Sequence, residues 1–155
     1  MGYSTEFEGS FKINKPVDDD TYELLYGLAT TRRMKRKLGP EYGIEGEFFI
    51  AKDSFFGQDE TPDIIDYNSP PITQPSLWCQ WLIQEDRCTI KWDEQEKFYD
   101  YVSWIVYLID KILKPRGYIV NCKVKWSGQS PNDTETIIVT DNKVRTTYTR
   151  YGICL

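Results

Sequence analysis

The spacing of apolar residues divides this chain into alternating strand-like and helix-like segments. Loose alternation of apolar residues predicts a first strand over residues 4–13. Helical spacing then predicts a helix over residues 19–31, and Asp20 with Glu23 three residues later forms the pattern of a capping box. After the break at Gly39-Pro40, the apolar run GEFFIAK predicts a second strand over residues 46–52.

The middle of the chain has the clearest periodicity. Residues 77–84 and 88–93 predict a hairpin, since apolar and polar residues alternate in its second arm. An apolar stripe then predicts a helix over residues 94–113, with Asp93 as its N-cap and Glu96 as its capping-box partner. Residues 54–76 form a proline-rich loop before the hairpin, and a loop of this length is typical of a lid or a binding loop.

The last third of the chain predicts three more strands. Residues 118–126 alternate, and residues 137–140 and 143–148 form a closing hairpin across Asp141-Asn142, a pair that tolerates positive φ. The order is therefore β-α-β-β-β-α-β-β-β in a single domain over residues 1–155, without repeats or linkers. Short turns join most neighbouring strands, so we expect an α+β fold. Its sheet should be mainly antiparallel, with about six to seven strands and two helices on one face.

Composition narrows the chemistry that this domain can perform. The chain has no histidine, which removes the usual general base near neutral pH and the commonest zinc ligand. Its four cysteines include no CxxC pair, and no phosphate-loop, hydrolase or calcium-loop motif occurs. The chain shows neither a signal peptide nor a membrane-length apolar stretch, so we expect a cytoplasmic protein with reduced thiols. We therefore predict no catalytic residue, no metal site and no cofactor.

Charge is distributed unevenly along the sequence. The net charge of −5 argues against an extended surface for nucleic acid. One segment is nevertheless strongly basic, and its cations are Arg32, Arg33, Lys35, Arg36 and Lys37. An anion would be favoured near them. A solvated basic loop would explain the same residues, as would cations at the C-terminal end of the first helix, where the helix dipole favours them.

Large aromatic side chains are concentrated in the predicted hairpin. Trp78 and Gln80 lie on one face of its first arm and Trp81 on the other, with Trp92 on the facing arm. A planar ring beside an amide and near arginines suits a nucleobase and its phosphate. An ordinary core covered by the long loop would explain the same rings without any ligand.

Several words of the sequence together resemble a family of small, largely uncharacterised proteins from bacteriophages and bacterial genomes. The resemblance covers most of the chain and is carried by residues 31–36 (TRRMKR), 57–59 (GQD), 64–68 (IIDYN), 74–81 (QPSLWCQW) and 96–99 (EKFY). Members of that family usually have glycine where this chain has Glu94 or Gln95, and again at Cys122. The family brings no established activity. A small acidic protein of phage type resembles the host-takeover and anti-defence class, which acts by binding.

Together these features predict a non-enzymatic binding protein of phage type that captures a small anionic, nucleotide-like ligand as an anti-defence or regulatory factor. The predicted ligand-binding residues are Arg32, Arg33, Arg36, Gln58, Asn68, Trp78, Gln80 and Trp92. In this hypothesis the arginines hold phosphate groups, the tryptophans stack the base and the amides read its polar edges. The loop over residues 54–76 closes over the ligand.

Two other hypotheses stay open. The chain could be a protein-interaction module that inhibits a host protein through its acidic and aromatic surface. It could also be a small hydrolase that uses carboxylates from the set Asp59, Asp63, Asp66 and Glu96. A stoichiometric partner would favour the first hypothesis, and loss of hydrolysis in Asp66→Asn would favour the second. The expected partner is thus a small anionic ligand or a host protein, with no membrane contact.

Overall fold

The computed structural model describes residues 5–52, 55–128, 133–150 and 153–154. The helices are α1 (Asp19–Thr30) and α2 (Tyr101–Leu108), and α2 continues into a π-helical turn (Ile109–Leu113) and a 3₁₀ turn (Lys114–Arg116). The strands are β1 (Glu6–Ile13), β2 (Lys35–Arg36), β3 (Ile64–Asp66), β4 (Trp81–Ile83), β5 (Thr89–Trp92), β6 (Val120–Ser127), β7 (Asp133–Thr140), β8 (Lys143–Arg150) and β9 (Ile153–Cys154). Residue 4 of the first predicted strand and residue 54 of the predicted loop lie outside the described residues. No helix in the described part of the chain is both long enough and apolar enough to cross a membrane.

The main sheet is antiparallel throughout. Six strands pair in the order β4-β5-β1-β6-β7-β8, the two-residue β9 extends the sheet beyond β8, and β2 pairs with β3 in a separate small sheet. Phe11 of β1 lies opposite Ile90 of β5 on one side and Cys122 of β6 on the other. Asp141 and Asn142 form the turn between β7 and β8 with positive φ, as the sequence predicted. The prediction of a single-domain α+β fold with a mainly antiparallel sheet is confirmed.

Both helices contribute to one hydrophobic core together with the inward side chains of the main sheet. The fully buried members from the helices are Leu25 and Leu28 of α1 and Trp104, Ile105 and Leu108 of α2. Those from the sheet include Phe11, Ile90, Val120, Val124 and Ile137. The core therefore holds the helices on the sheet through apolar burial, which is the main favourable term in folding.

Helix α1 begins where the sequence predicted, but with a different cap. The Asp18 carboxylate accepts a hydrogen bond from the backbone N–H of Thr21 at 2.8 Å. The predicted capping box of Asp20 and Glu23 is therefore wrong, because Asp18 already satisfies an N–H of the first turn. Hydrogen bonding from Thr21 lowers the pKa of Asp18, as expected of a carboxylate at a helix N-terminus.

Helix α2 begins at Tyr101, whereas the sequence predicted a helix over residues 94–113. Residues with positive φ interrupt the start of that range, and they are Glu94, Lys97 and Asp100. Trp92 donates from its indole N–H to the carbonyl of Gln95 at 3.1 Å, and Gln80 donates from its amide to the carbonyl of Glu96 at 3.2 Å. These carbonyls are bonded to hairpin side chains rather than to a helical turn, so the helix starts later.

Residues 46–52 form no strand, and the prediction of one is wrong. The guanidinium of Arg33 donates to the carbonyls of Glu47 at 3.0 Å and Phe49 at 2.9 Å. These carbonyls are therefore bonded to a side chain instead of a neighbouring strand. The chain enters this segment through two 3₁₀ turns, Pro40–Tyr42 and Ile44–Gly46.

The predicted loop over residues 54–76 contains a strand, β3, that pairs with β2 in the basic segment of residues 32–37. Lys35 of β2 pairs with Asp66 of β3, and Arg36 pairs with Ile64. Arg36 also forms an ion pair with Asp63 at 2.8 Å. The segment is therefore bound to residues 35–36, and closure of this loop over a ligand stays a prediction.

Cys122 has φ of 90° in the interior of β6, and its side chain is exposed although the alternation predicted it on the inward face. A residue with a side chain in this region is strained by about 1–3 kcal/mol, whereas glycine adopts it freely. We expect Cys122→Gly to raise the free energy of unfolding by about 1 kcal/mol, since glycine's extra freedom in the unfolded chain offsets part of the gain. Urea denaturation measures this change.

The matched control for Cys122→Gly is Cys122→Ser, which removes the thiol and keeps the Cβ atom. Its free energy of unfolding should stay within about 0.5 kcal/mol of the parent value, as for most exposed substitutions. Equal stabilisation of both variants would show that the thiol, and not the backbone conformation, is responsible.

Candidate ligand-binding site

A cleft of about 530 Å³ lies between the C-terminal end of α1 and the hairpin formed by β4 and β5. We call it the hairpin cleft. Its lining residues are Ala29, Thr30, Phe56, Trp78, Cys79, Gln80, Leu82, Asp93, Gln95 and Glu96. A cleft of this volume, walled mainly by apolar side chains with a few polar groups, is typical of small-molecule sites.

Gln80 fixes one side of the hairpin cleft. Trp81 of β4 pairs with Trp92 of β5, and the Gln80 amide oxygen accepts a hydrogen bond from the Trp92 indole N–H at 3.3 Å. The amide nitrogen of Gln80 donates to the carbonyl of Glu96 at 3.2 Å. Gln80 is itself buried, so its amide holds the segment after β5 against the hairpin. Both polar atoms of the Gln80 amide, which the sequence predicted would read a ligand, are thus hydrogen-bonded within the protein.

The two tryptophans predicted to stack a ligand lie in different surroundings. Trp78 is half-buried and lines the hairpin cleft. Trp92 packs against Phe7 with ring centroids 5.3 Å apart, and Phe7 belongs to the core. Trp78 therefore borders the cleft, whereas Trp92 packs the hairpin against the core.

Asp93 contributes a carboxyl group to the hairpin cleft. One of its oxygens accepts a hydrogen bond from the backbone N–H of Gln95 at 2.9 Å. Burial nevertheless raises the pKa of Asp93 to about 6 from its ordinary value of 3.8. The folded chain thus holds the proton more tightly than the unfolded chain, so stability falls as the pH rises from about 4 to 6. At neutral pH the carboxylate is ionised in an environment that disfavours its charge.

Cys79 also lines the hairpin cleft, but its thiol is unsuited to nucleophilic chemistry. Burial raises the pKa of Cys79 to about 12. The thiolate is the reactive form of cysteine, and it is scarcely populated at neutral pH with such a pKa. Cys79 is therefore a structural residue of the cleft wall.

Arg33 does not line the hairpin cleft. It is 3 % exposed, and its guanidinium donates to protein oxygens on Thr31, Glu47, Phe49 and Gln74. Burial lowers the pKa of Arg33 to about 10, which still leaves it charged at neutral pH. The sequence predicted that Arg33 holds a phosphate, whereas the structure directs its donors into the protein interior.

Arg36 is likewise directed toward protein groups. It is buried, its guanidinium pairs with Asp63 at 2.8 Å, and it lies 4.7 Å from the ring centroid of Phe49. Burial acts to raise the pKa of Asp63, but hydrogen bonds from Thr61 and Arg36 lower it overall. Arg36 and Asp63 are thus bound to each other and to neighbouring protein groups.

Among residues 5–52, 55–128, 133–150 and 153–154, no group of three or more Cys, Asp or Glu is arranged to hold a metal ion.

Arg32 and Asn68 lie together outside the lining of the hairpin cleft. The guanidinium of Arg32 donates to the side-chain oxygen of Asn68 at 3.4 Å and lies 4.5 Å from the ring centroid of Tyr67. Gln58 lines a separate groove with Tyr67. The structure therefore does not bring the predicted phosphate-binding and base-stacking residues into one pocket. A ligand-binding role for each of them stays a prediction.

Sequence reasoning did not identify Asp93 and Phe56 as members of a site. Asp93 matches the pattern of a helix N-cap, which is a common position for a carboxylate. Phe56 lies in the loop over residues 54–76, which the sequence predicted as a binding loop without singling out Phe56. One signal in the sequence could have indicated a site residue. Asp93 directly follows a predicted strand that ends in Trp92, so its carboxyl group is expected beside the hairpin.

Comparisons with protein-family models, with curated proteins and with solved structures returned no match. The ligand chemistry that suits the hairpin cleft therefore has to be inferred from its own residues. Those residues provide the aromatic ring of Trp78, the apolar side chain of Leu82 and the desolvated carboxyl group of Asp93. Such a set can hold a flat apolar body and one polar group.

Proposed function

We propose that this protein is a non-enzymatic binding protein that captures a small ligand in the hairpin cleft. The observation that carries the proposal is the cleft itself, in which Phe56, Trp78 and Leu82 form apolar walls around about 530 Å³ and Asp93 adds a carboxyl group. Small-molecule sites usually combine apolar walls with a few well-placed polar groups. The resemblance to phage-type proteins favours an anti-defence or regulatory role for such capture.

Binding is favoured over catalysis by the groups around the cleft. The chain has no histidine, and the high pKa of Cys79 leaves its thiol protonated. Two carboxylates considered for a hydrolase are engaged elsewhere. Asp63 pairs with Arg36, and Asp66 accepts a hydrogen bond from the backbone N–H of Asn68 at 2.9 Å.

The cleft does not favour the anionic ligand that the basic cluster predicted. Arg33 and Arg36 donate to protein groups, and the ionisable side chains that line the cleft include the carboxyls of Asp93 and Glu96. A carboxylate repels a phosphate group at short range, and the repulsion strengthens where water is excluded. We therefore keep the binding class and change the expected charge of the ligand.

A second candidate function, binding to a host protein, is favoured by exposed aromatic residues beside the cleft. Tyr26, Phe55 and Phe56 are 46 %, 70 % and 54 % exposed, and they border a groove of about 560 Å³ along α1. Aromatic side chains are enriched in protein interfaces. A stoichiometric partner that is recovered with the parent protein and lost in Phe55→Ser would support this candidate over small-ligand capture.

We expect the protein freshly purified from cells to carry a small non-covalent ligand that departs on denaturation, as native mass spectrometry would detect. Trp78→Ala removes an aromatic wall of the hairpin cleft. Loss of one stacking contact costs about 1–3 kcal/mol, so the variant should bind the ligand about ten-fold or more weakly. The occupied fraction after identical purification measures this difference.

The matched control is Tyr99→Ala, which removes an exposed aromatic residue outside the cleft lining. This variant should retain the ligand at the parent level. Equal loss in both variants would place the ligand elsewhere, and a parent protein without any bound mass would count against small-ligand capture.

A further inference from the structure

We propose that the hairpin cleft selects a planar cation, an amidinium or guanidinium group carried on a flat apolar body, and that Asp93 binds this cation. The inference rests on the proposed function, because it names the ligand class of the same cleft. It also reverses the ligand charge that the basic sequence cluster predicted. Three features of the cleft support it.

The first feature is the charge of the lining. Asp93 and Glu96 both line the cleft, and its lining residues include neither lysine nor arginine. The salt bridges that join described residues involve neither of these two carboxylates. Asp93 is also partly desolvated, which raises its pKa. A bound cation would supply a positive charge that the described residues lining the cleft do not provide.

The second feature is the free hydrogen-bonding capacity of Asp93. A carboxylate offers about four lone-pair sites, and the backbone N–H groups of Gln95 and of Asp93 itself interact with part of them. Amidinium and guanidinium groups present parallel N–H donors that match the two oxygens of a carboxylate. An ammonium ion lacks these parallel donors, so a planar cation fits the remaining lone pairs of the Asp93 carboxylate better.

The third feature is the aromatic wall. Trp78 and Phe56 line the same cleft as Asp93, and Trp78 is half-buried there. Planar cations stack on aromatic faces, with Trp the best partner, and the attraction grows when water is excluded. A flat apolar body attached to the cation would also contact Leu82. The charge of the lining, the hydrogen-bonding capacity of Asp93 and the aromatic wall therefore all favour a planar cation on a flat apolar body.

Benzamidine, its neutral analogue benzamide and its anionic analogue benzoate test this class directly, because the three probes share one ring and nearly one shape. Isothermal titration is run on the full chain at a pH above the pKa of Asp93. We expect benzamidine to bind about ten-fold or more tightly than benzamide, and benzoate to bind more weakly than both. Asp93→Asn should abolish the preference for benzamidine over benzamide, while its side-chain oxygen still accepts the Gln95 N–H.

Glu41→Gln is the matched control, because it removes one exposed negative charge outside the cleft lining. It should leave the preference for benzamidine unchanged, and thermal unfolding confirms that both variants fold. Equal binding of benzamidine and benzamide overturns the inference, as do preferential binding of benzoate and absence of benzamidine binding. If a cell-derived ligand still depends on Trp78 in that case, the proposed function stands while the cation assignment fails.

Discussion

Replacing Arg33 by methionine is expected to lower the free energy of unfolding by about 3–5 kcal/mol. The guanidinium is buried and donates to Thr31, Gln74 and the carbonyls of Glu47 and Phe49. Methionine fills much of the same volume but removes these four hydrogen bonds, although the Glu47 carbonyl keeps a second donor in the Gln74 amide at 2.7 Å. A buried polar group that loses its partner costs about 1–3 kcal/mol.

Arg33 also belongs to a larger buried network, which raises the expected loss. Glu47 is buried, and its carboxylate accepts hydrogen bonds from the hydroxyls of Tyr107 at 2.8 Å and Thr73 at 2.6 Å. Burial raises the pKa of Tyr107, so its hydroxyl stays protonated and able to donate. Arg33 interacts favourably with the carboxylate of Glu47, so its replacement would remove a positive charge that stabilises this buried network.

Urea denaturation of three variants separates the buried network from general charge effects. Arg32→Met changes the adjacent, half-buried arginine and should cost about 1 kcal/mol or less, as exposed ion pairs and cation contacts usually do. Arg33→Lys keeps the positive charge but lacks the planar guanidinium group. Its loss of unfolding free energy should therefore lie between those of Arg32→Met and Arg33→Met. Similar losses for Arg32→Met and Arg33→Met would contradict a structural role specific to Arg33.

The different roles of adjacent Arg32 and Arg33 show why the basic cluster could not be interpreted from the sequence. A run of cations is normally solvated, since charged side chains are rarely buried without partners. Apart from the nearby Thr31, the partners of Arg33 are Glu47, Phe49 and Gln74, which lie in segments that form no regular secondary structure. Periodicity carries no information on such contacts, so the cluster was predicted as a ligand site.

Local pattern was sufficient where neighbouring residues decide the structure. The Asp141-Asn142 turn follows from short-range preferences and is present. Strand β6 also forms where its alternation predicted a strand, although Cys122 departs from the inward face. In contrast, the start of α2 depends on side chains of the hairpin that bind the carbonyls of Gln95 and Glu96. Trp78 and Gln80 were predicted in the first arm of the hairpin, but they precede β4, which begins at Trp81. The environment of Asp93 depends on burial that only the tertiary fold creates.

Trp81→Ala is expected to lower the free energy of unfolding by about 3–5 kcal/mol, the range for truncation of a large buried aromatic residue. Trp81 is 1 % exposed, and its ring lies 5.2 Å from Phe7, 5.1 Å from Phe11 and 5.0 Å from Phe98 between centroids. It therefore joins β4 to β1 and to the segment before α2. Thermal or urea unfolding measures the loss.

Trp81→Phe isolates the polar part of this effect, because it keeps an aromatic ring and removes the indole N–H. That N–H donates to the carbonyl of Tyr101 at 2.8 Å, at the first residue of α2. We expect an intermediate loss of about 1–2 kcal/mol, from the hydrogen bond and the reduced volume. Hydrogen exchange should then show weaker protection near Tyr101 and along residues 93–100, which the same bond holds beside the hairpin. Unchanged protection there would mean that the hydrogen bonds from Gln80 and Trp92 position this wall of the cleft without the Trp81 bond.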